Sequence, residues 1–203
     1  MSDKVIVNRQ GPIWLLTINR PQVRNAVDAE TMTALRGSVE AASADSESRV
    51  VVITGAGGAF SSGADLSAAA QGGLDRDAAI RTLTDVYHPT MKAIRACPWP
   101  VIAAVDGPAA GIGLDLALAC DIRLASDRAV FAELFVRRGL VPDGGGTWSL
   151  QRLVGLGRAL ELILTGEAVP ADEAVRIGLA NKIYACDVFE SKVLEYATAL
   201  AAR

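Results

Sequence analysis

A single carboxylate, Asp143, lies between a proline and three consecutive glycines in the stretch LVPDGGGTW, residues 140–148. The glycines leave space around the side chain, and Pro142 restricts the path of the chain that carries it. A carboxylate held in this way can act as a general acid or base. It can also cap a helix that begins near Thr147, because an aspartate accepts hydrogen bonds from the first N–H groups of a helix. The residue types leave both roles open.

A second carboxylate, Asp115, lies in the stretch IGLDLALAC, residues 112–120. This stretch predicts a helix that is apolar on nearly every face. An unpaired carboxylate buried in such a helix is costly. Asp115 is therefore either catalytic or structural, tied to a cap or to a buried partner.

Two loops rich in glycine and alanine follow strand-like segments, GAGGAFSSGADL at 55–66 and DGPAAGIGLDL at 106–116. Each is expected to run into a helix, near Ala64 and near Ile112, where backbone N–H groups lack intrahelical partners. Two such donors that converge would form an oxyanion hole. Glycines that only make tight turns are the alternative.

Two other kinds of site are excluded by residue type. Neither loop contains the G-x-x-x-x-G-K-[ST] pattern of a phosphate loop. A serine hydrolase built on Ser61 or Ser62 would need a histidine base, but the chain's one histidine, His88, lies in a helical run beside Pro89. There it is expected to be a surface or core residue.

The elements that must position these residues alternate between strand-like and helical runs. Paired strands are predicted at 4–9 and 12–19, followed by a helix with Asp28 as its N-cap. Short apolar runs at 49–54 and 100–105 are typical of strands buried on both faces. Further helical runs follow, one of them kinked or broken at Pro89. This order predicts an α/β fold with a mainly parallel sheet and with ligands beyond the carboxyl ends of its strands.

Composition limits the classes of function. The chain has 203 residues, 51% of them hydrophobic, which is typical of one soluble globular domain. Its 20 basic and 23 acidic residues predict no surface for nucleic acid or for an anionic membrane. Aspartates interrupt the apolar stretch 101–122, and no apolar signal core opens the chain, so neither a membrane span nor export is expected. Three widely spaced cysteines predict neither a disulfide framework nor a zinc site, which fits the cytoplasm.

Four segments together resemble the crotonase, or enoyl-CoA hydratase/isomerase, superfamily. In the order and spacing of that family, they are NRPQVRNAV, ITGAGGAFSSGADL, PVIAAVDGPAAGIGLDLALACDIRLAS and GLVPDGGGTWSLQRLVG. The resemblance covers nearly the whole chain. It implies the crotonase (ClpP/crotonase-like) fold, a spiral of β-β-α units, as one domain over residues 1–203. It also implies an acyl-CoA thioester as substrate.

The resemblance also implies site residues. It places the two oxyanion N–H groups on Ala64 and Ile112. The substrate-binding positions that it implies are Arg24, Asn25, Ala26, Ser62, Gly63, Asp65, Leu66 and Gly111. Arg24 would pair with a CoA phosphate or lie solvated at a loop edge. No metal or redox cofactor is implied, since coenzyme A enters as part of the substrate.

The positions of the carboxylates decide which reaction the resemblance implies. Hydratases of the family carry one glutamate on the helix after the second oxyanion loop and another on the next helical segment, where this chain has Asp115 and Phe135. Glu133, two residues before Phe135, is expected on a different and solvated face. Asp143 coincides with the catalytic aspartate of a branch that includes ring-epoxide and Δ3,Δ2-enoyl-CoA isomerases of phenylacetate degradation and the 4-chlorobenzoyl-CoA dehalogenases.

The resemblance therefore implies an isomerase or hydratase-type enzyme with Asp143 as acid and base. One alternative is a 2-enoyl-CoA hydratase that uses Asp115 and a water molecule. Another is a non-catalytic acyl-CoA-binding homologue. Relatives continue into further helices that cover the acyl pocket and help to build trimers. Here those helices are expected to be missing or truncated, and a homotrimer or a dimer of trimers is expected.

Overall fold

The computed structural model describes residues 3–66 and 75–203, and it contains a large sheet and a small one. The strands of the large sheet are β1 (Val5–Gln10), β2 (Ile13–Ile18), β3 (Val50–Gly55), β4 (Val101–Val105), β6 (Ile122–Ser126) and β9 (Lys182–Tyr184). They lie side by side in that order. β1 and β2 pair antiparallel, and the other neighbours pair parallel. The predicted hairpin and the mainly parallel sheet are both confirmed.

The small sheet consists of three-residue strands, β5 (Pro108–Ala110), β7 (Val130–Ala132) and β8 (Ala168–Pro170). β5 pairs parallel with β7, and β7 pairs antiparallel with β8. Strands this short show too few alternations of polar and apolar residues for a period of two to appear in the sequence. The sequence pattern therefore does not predict this sheet.

The first three α-helices that the structure describes lie between β2 and β4 in the chain. α1 (Ala29–Ala44) begins after Asp28, whose side chain accepts a hydrogen bond from Thr31 N at 2.8 Å, which confirms the predicted cap. α2 (Arg76–Thr82) and α3 (His88–Ala96) are joined by a π-helical turn at Leu83–Tyr87. Pro89 lies in the first turn of α3. Because proline cannot donate to the preceding turn, the irregularity expected there takes the form of this wider turn.

The remaining helices are α4 (Ile112–Ala119), α5 (Gly146–Val154), α6 (Leu156–Thr165), α7 (Ala171–Arg176) and α8 (Phe189–Ala201). Alternate residues of β3 enter two different cores. Val51 and Ile53 pack in the core that includes α1 and α4, whereas Val50 and Val52 pack with α8. Both faces of the parallel strands are thus covered. Within the described ranges, no helix is both long and apolar enough to cross a bilayer.

Candidate active site

The loop after β3 runs beside the segment that precedes α1. Ser62 N donates to Arg24 O at 2.9 Å, and Val27 N donates to Gly63 O at 2.8 Å. Asp65 N donates to Val27 O at 2.8 Å. The structure therefore brings together the two stretches that the sequence motifs single out for substrate binding.

The backbone amide of Ala64 faces away from this pairing. Val27 and Ala64 form a parallel bridge in which Val27 uses its own N–H and C=O with the two neighbours of Ala64. The N–H of Ala64 consequently lies on the opposite edge, and no acceptor for it is present among the residues that the structure describes. Ala64 itself lies in this bridge and in no helix. A helix that starts near Ala64, as the sequence predicts, would run into residues 67–74. The stretch after Leu66, residues 67–74, lies outside the described part.

The second predicted donor, Ile112, is the first residue of α4, as expected. Gly111 before it has φ 51 and ψ −126, a conformation open to glycine, and its carbonyl accepts from Leu114 N and Asp115 N. In the described parts of the chain, the N–H of Ile112 has no acceptor. Ala64 and Ile112 thus both offer amides that the fold does not use.

The predicted binding side chains divide into exposed and structural ones. Arg24 is exposed, has φ 52, and forms no ion pair with any residue that the structure describes. Asn25 is fully buried, and its Nδ2 donates to Ala56 O and Ala59 O. Asp65 pairs with Arg20 at 2.8 Å, so its carboxylate holds the loop. Of the other predicted positions, Ala26 is buried, and Ser62 and Leu66 are exposed.

Asp143 lines a cavity of about 320 Å³ between α3 and the start of α5. The N-cap residue of α5 is Gly145, and no side chain caps this helix, so the capping alternative for Asp143 does not describe the structure. Burial raises the pKa of the half-buried Asp143 carboxyl above its ordinary value, although its own N–H and His88 lower it in part. Such a carboxyl is suited to exchanging protons with a bound ligand.

His88 is a site residue that the sequence pattern does not reveal. Its Nε2 lies 2.8 Å from the carbonyl oxygen of Asp143, and its ring lines the same cavity. Because a carbonyl can only accept, Nε2 carries the hydrogen in this contact. The neighbouring Tyr87 donates its hydroxyl to Val27 O at 2.9 Å. Tyr87, the last residue of the π-helical turn, therefore holds the backbone of Val27, which pairs with Ala64, and His88, the first residue of α3, holds the Asp143 loop.

The prediction that Glu133 lies on a solvated face is wrong. It is 1% exposed, as is Asp115, and burial followed by the charge of Asp115 raises the pKa of Glu133. Burial also raises the pKa of Asp115. Among the described residues, no N–H or O–H group donates a hydrogen bond to either Glu133 oxygen. The short 3-10 helix Leu134–Arg138 begins after Glu133, so α-helical spacing from Phe135 does not apply to it.

Asp115 has the buried partner that the structural alternative predicts. Its Oδ2 accepts a hydrogen bond from Gly144 N at 2.7 Å. A Cβ at Gly144 would lie 2.7 Å from that oxygen, and a Cβ at Gly146 would overlap Asp115 Oδ1 and approach Glu133 Oε1 to 2.7 Å. Gly144 and Gly146 are therefore required by the two carboxyls packed beneath them. This pair fixes the loop on which Asp143 lies.

The chain matches the model of the enoyl-CoA hydratase/isomerase family over residues 8–203. The chain belongs to the enoyl-CoA hydratase/isomerase family. It is 46% identical to the probable enoyl-CoA hydratase of Rhodobacter capsulatus over 167 residues, which cover 81% of this chain and 62% of that protein. Its similarity to the 2,3-dehydroadipyl-CoA hydratase of Escherichia coli is 38% identity over 99% of this chain and 75% of the relative.

Solved structures confirm the crotonase fold of this family. The enoyl-CoA hydratase from Bacillus anthracis superposes with a TM-score of 0.94 at 32% identity, covering 99% of this chain and 78% of that one. DspI from Pseudomonas aeruginosa superposes with a TM-score of 0.93 at 36% identity, and the superposition covers 100% of this chain and 82% of the DspI chain. The chain spans about three fifths to four fifths of the length of these family members.

The buried carboxyl pair predicts how stability depends on pH. The pKa of Glu133 is raised from its ordinary 4.5, so the folded protein keeps a proton that the unfolded chain releases. The contribution of Glu133 to the free energy of unfolding is then fully present below pH 4.5, and it is lost as the pH rises toward the pKa of Glu133 in the folded protein. Glu133→Gln, which cannot ionise, should reduce the loss of Tm between about pH 5 and about pH 8 by at least about 2–4 °C, or about 1 kcal/mol.

Thermal melts at the two pH values measure this effect. Glu173→Gln is the matched control, because Glu173 lies in an exposed i,i+3 pair with Arg176 and its loss should leave the pH dependence of Tm unchanged. Equal pH dependence in wild type and Glu133→Gln would show that Glu133 ionises normally in the folded protein.

Proposed function

We propose that this chain provides the acyl-CoA site of an enzyme that stabilises a thioester enolate, and that it isomerises a 3-enoyl-CoA to a 2-enoyl-CoA with Asp143 as acid and base. One observation carries the proposal. Asp143 is the carboxylate among the described residues that line the cavity, whereas Asp115 and Glu133 are buried beneath its loop. A proton on a bound ligand can reach Asp143 without any movement of the buried pair.

The proposed reaction has two proton transfers, one from C2 to Asp143 and one from Asp143 to C4. The Asp143 carboxylate takes a proton from C2 of the 3-enoyl-CoA, and the electrons of that C–H bond form a dienolate with negative charge on the thioester oxygen. The N–H groups of Ala64 and Ile112 donate to this oxygen. The Asp143 carboxyl then returns the proton to C4, the double bond lies between C2 and C3, and Asp143 is again a carboxylate. The chemistry requires no metal and no redox cofactor.

The runner-up is hydration of a 2-enoyl-CoA. The names of the Rhodobacter and Escherichia relatives favour it, and Asp115 with Glu133 supplies two carboxyls. Both are 1% exposed, however, and neither is among the residues that line the cavity in the described part of the chain. The position of the second hydratase glutamate is occupied by Phe135, whose ring packs near Gly111. A water held between two carboxylates therefore has less support than proton transfer by Asp143.

Purified protein incubated with 3-hexenoyl-CoA and with 2-hexenoyl-CoA, side by side, tests the proposal. Appearance of the conjugated 2-enoyl thioester from the first substrate, faster than water adds to the second, is the expected result. If hydration of 2-hexenoyl-CoA is the faster reaction, the protein is a hydratase and the isomerase proposal is wrong. Binding of CoA thioesters with no turnover of either would identify a non-catalytic acyl-CoA-binding homologue.

The assembly and location are part of the same proposal. Leu156, Leu160 and Leu164 form an exposed apolar row on one face of α6, at 60%, 47% and 67% exposure. Such a row supports contact with other copies, which we propose to be a homotrimer or a dimer of trimers. Cys97, Cys120 and Cys186 are free thiols, which supports a cytoplasmic location.

A further inference from the structure

The cavity beside Asp143 has a polar end that the proposed reaction does not use. Its walls are mostly apolar, with Met91 on α3 and Trp148 on α5. Lys92 and Arg95 also line it, on the same face of α3 as His88. Positions four and seven residues after His88 fall on one face of a helix, so these cations follow one another away from the base.

The two cations lack an anionic partner among the described residues. Across residues 3–66 and 75–203, neither Lys92 nor Arg95 takes part in a salt bridge. Arg95 is nevertheless held in place, because its Nη2 donates to Ser149 Oγ at 2.6 Å and its guanidinium lies 4.6 Å from the Trp148 ring centre. A cation that is positioned by neutral neighbours keeps its charge available for a ligand.

We propose that the cavity takes acyl groups that end in a carboxylate, and that Lys92 and Arg95 bind this carboxylate. The proposal rests on the proposed function, since it assumes that the acyl chain of a CoA thioester enters beside Asp143. It names the class of substrate, a CoA monothioester of a dicarboxylic acid. An acyl group with a methyl end would leave both cations without a partner.

The spacing along α3 sets the length of the acyl group. His88 Nε2 lies 2.8 Å from Asp143 O and so marks the end of the cavity where the proton is transferred. At 1.5 Å per residue, Lys92 lies about 6 Å and Arg95 about 10.5 Å further along the helix axis. An extended chain advances about 1.2 Å per bond, so these distances correspond to about five to nine bonds. In a linear diacid of n carbons, C2 and a terminal carboxylate oxygen are n − 1 bonds apart, so acids of about six to ten carbons fit between the base and the cations.

Calorimetric titration with saturated thioesters tests the cavity without turnover. The probes are adipyl-CoA against hexanoyl-CoA and suberyl-CoA against octanoyl-CoA, matched in chain length and different in the terminal carboxylate. For at least one pair, the carboxylated probe should bind about 10-fold to 100-fold tighter, the usual effect of a hydrogen bond to a charged group. The preference should shrink as the salt concentration rises.

Substitutions assign the preference to the cations. Lys92→Met and Arg95→Met should each reduce the preference for the carboxylated probe and leave binding of hexanoyl-CoA unchanged. Arg152→Met is the matched control, since Arg152 also stacks on Trp148, at 3.8 Å, but is not among the described residues that line the cavity. Arg95 contacts Ser149, so the exposed Lys92 provides the variant that leaves the packing intact.

The outcomes separate the two proposals. Equal or weaker binding of both carboxylated probes would overturn the substrate class, even if 3-hexenoyl-CoA is isomerised. A preference for the carboxylated probes that survives in Lys92→Met and Arg95→Met together would overturn the role of these cations. A preference that disappears in the variants supports the substrate class, and it does so even if no 3-enoyl-CoA is isomerised and the proposed reaction fails.

Discussion

Asp143→Asn is expected to lower the rate of isomerisation of 3-hexenoyl-CoA by about 10²-fold to 10⁴-fold, the usual contribution of a positioned acid or base. An amide has nearly the same size but cannot accept the C2 proton at neutral pH. The side chain lines the cavity and caps no helix, so its replacement removes chemistry without removing a structural contact. Initial rates followed by the absorbance of the conjugated thioester measure the effect.

Two controls separate chemistry from binding and folding. The affinity of Asp143→Asn for hexanoyl-CoA should be close to that of the wild type, because the role proposed for Asp143 is proton transfer and not binding of the CoA portion. Asp115→Asn should cost less activity than Asp143→Asn, since Asp115 supports the loop through Gly144 N and is 1% exposed. Near-normal turnover in Asp143→Asn, or a larger loss in Asp115→Asn, would remove Asp143 from the mechanism.

The pH profile of the wild type provides a second test of Asp143. Burial raises the pKa of this carboxyl above 3.8, and the reaction requires the ionised form. The value of kcat/KM should therefore fall as the pH drops through a midpoint above 3.8, and it should stay level at higher pH until another group titrates. A profile that is flat down to pH 3.8 would be incompatible with Asp143 as the base.

The sequence predicts those parts of the fold that depend on local chemistry. Asp28 caps α1 because its side chain reaches the N–H of a residue three positions later, a contact that spacing alone defines. The buried strand predicted at 49–54 is observed at Val50–Gly55, and the pattern reveals it because the first four side chains of the observed strand are all apolar. The edge at which β3 and β4 end follows from their parallel pairing, and the loops that follow them carry the two free amides.

The parts that the sequence does not predict depend on contacts between distant segments. Glu133 is buried because α4 and the glycine loop enclose it, and nothing in its neighbours along the chain indicates a carboxyl partner 18 residues before it. His88 reaches Asp143 across 55 residues. The sequence predicts only a kink or a break at Pro89 and not the π-helical turn that precedes His88. Side chains of this kind acquire a role only after the helices pack.

Ala64→Pro is expected to lower turnover by about 10²-fold to 10³-fold, or about 3 to 4 kcal/mol, because it deletes one of the two donors to the enolate oxygen. The fold should tolerate this change. The bridge at this position uses the N–H and C=O of Val27, not the N–H of Ala64, and Ala64 is exposed, so the ring has space. Gly63 before it already has the φ of 106 that glycine permits.

Ala64→Gly is the matched control, since it keeps the N–H and should retain most of the activity. Circular dichroism and the Kd for hexanoyl-CoA establish whether Ala64→Pro remains folded and able to bind. If it does not, Ile112→Pro tests the other donor at the first position of α4, where proline suits a helix and its missing N–H is not needed, with Ile112→Val as control for the lost side chain. A proline variant that is folded, binds the thioester and turns over at the rate of its control would show that the amide does not hold the thioester oxygen. The enolate would then need a different donor, and the reaction proposed for Asp143 would lose its means of stabilising the charge.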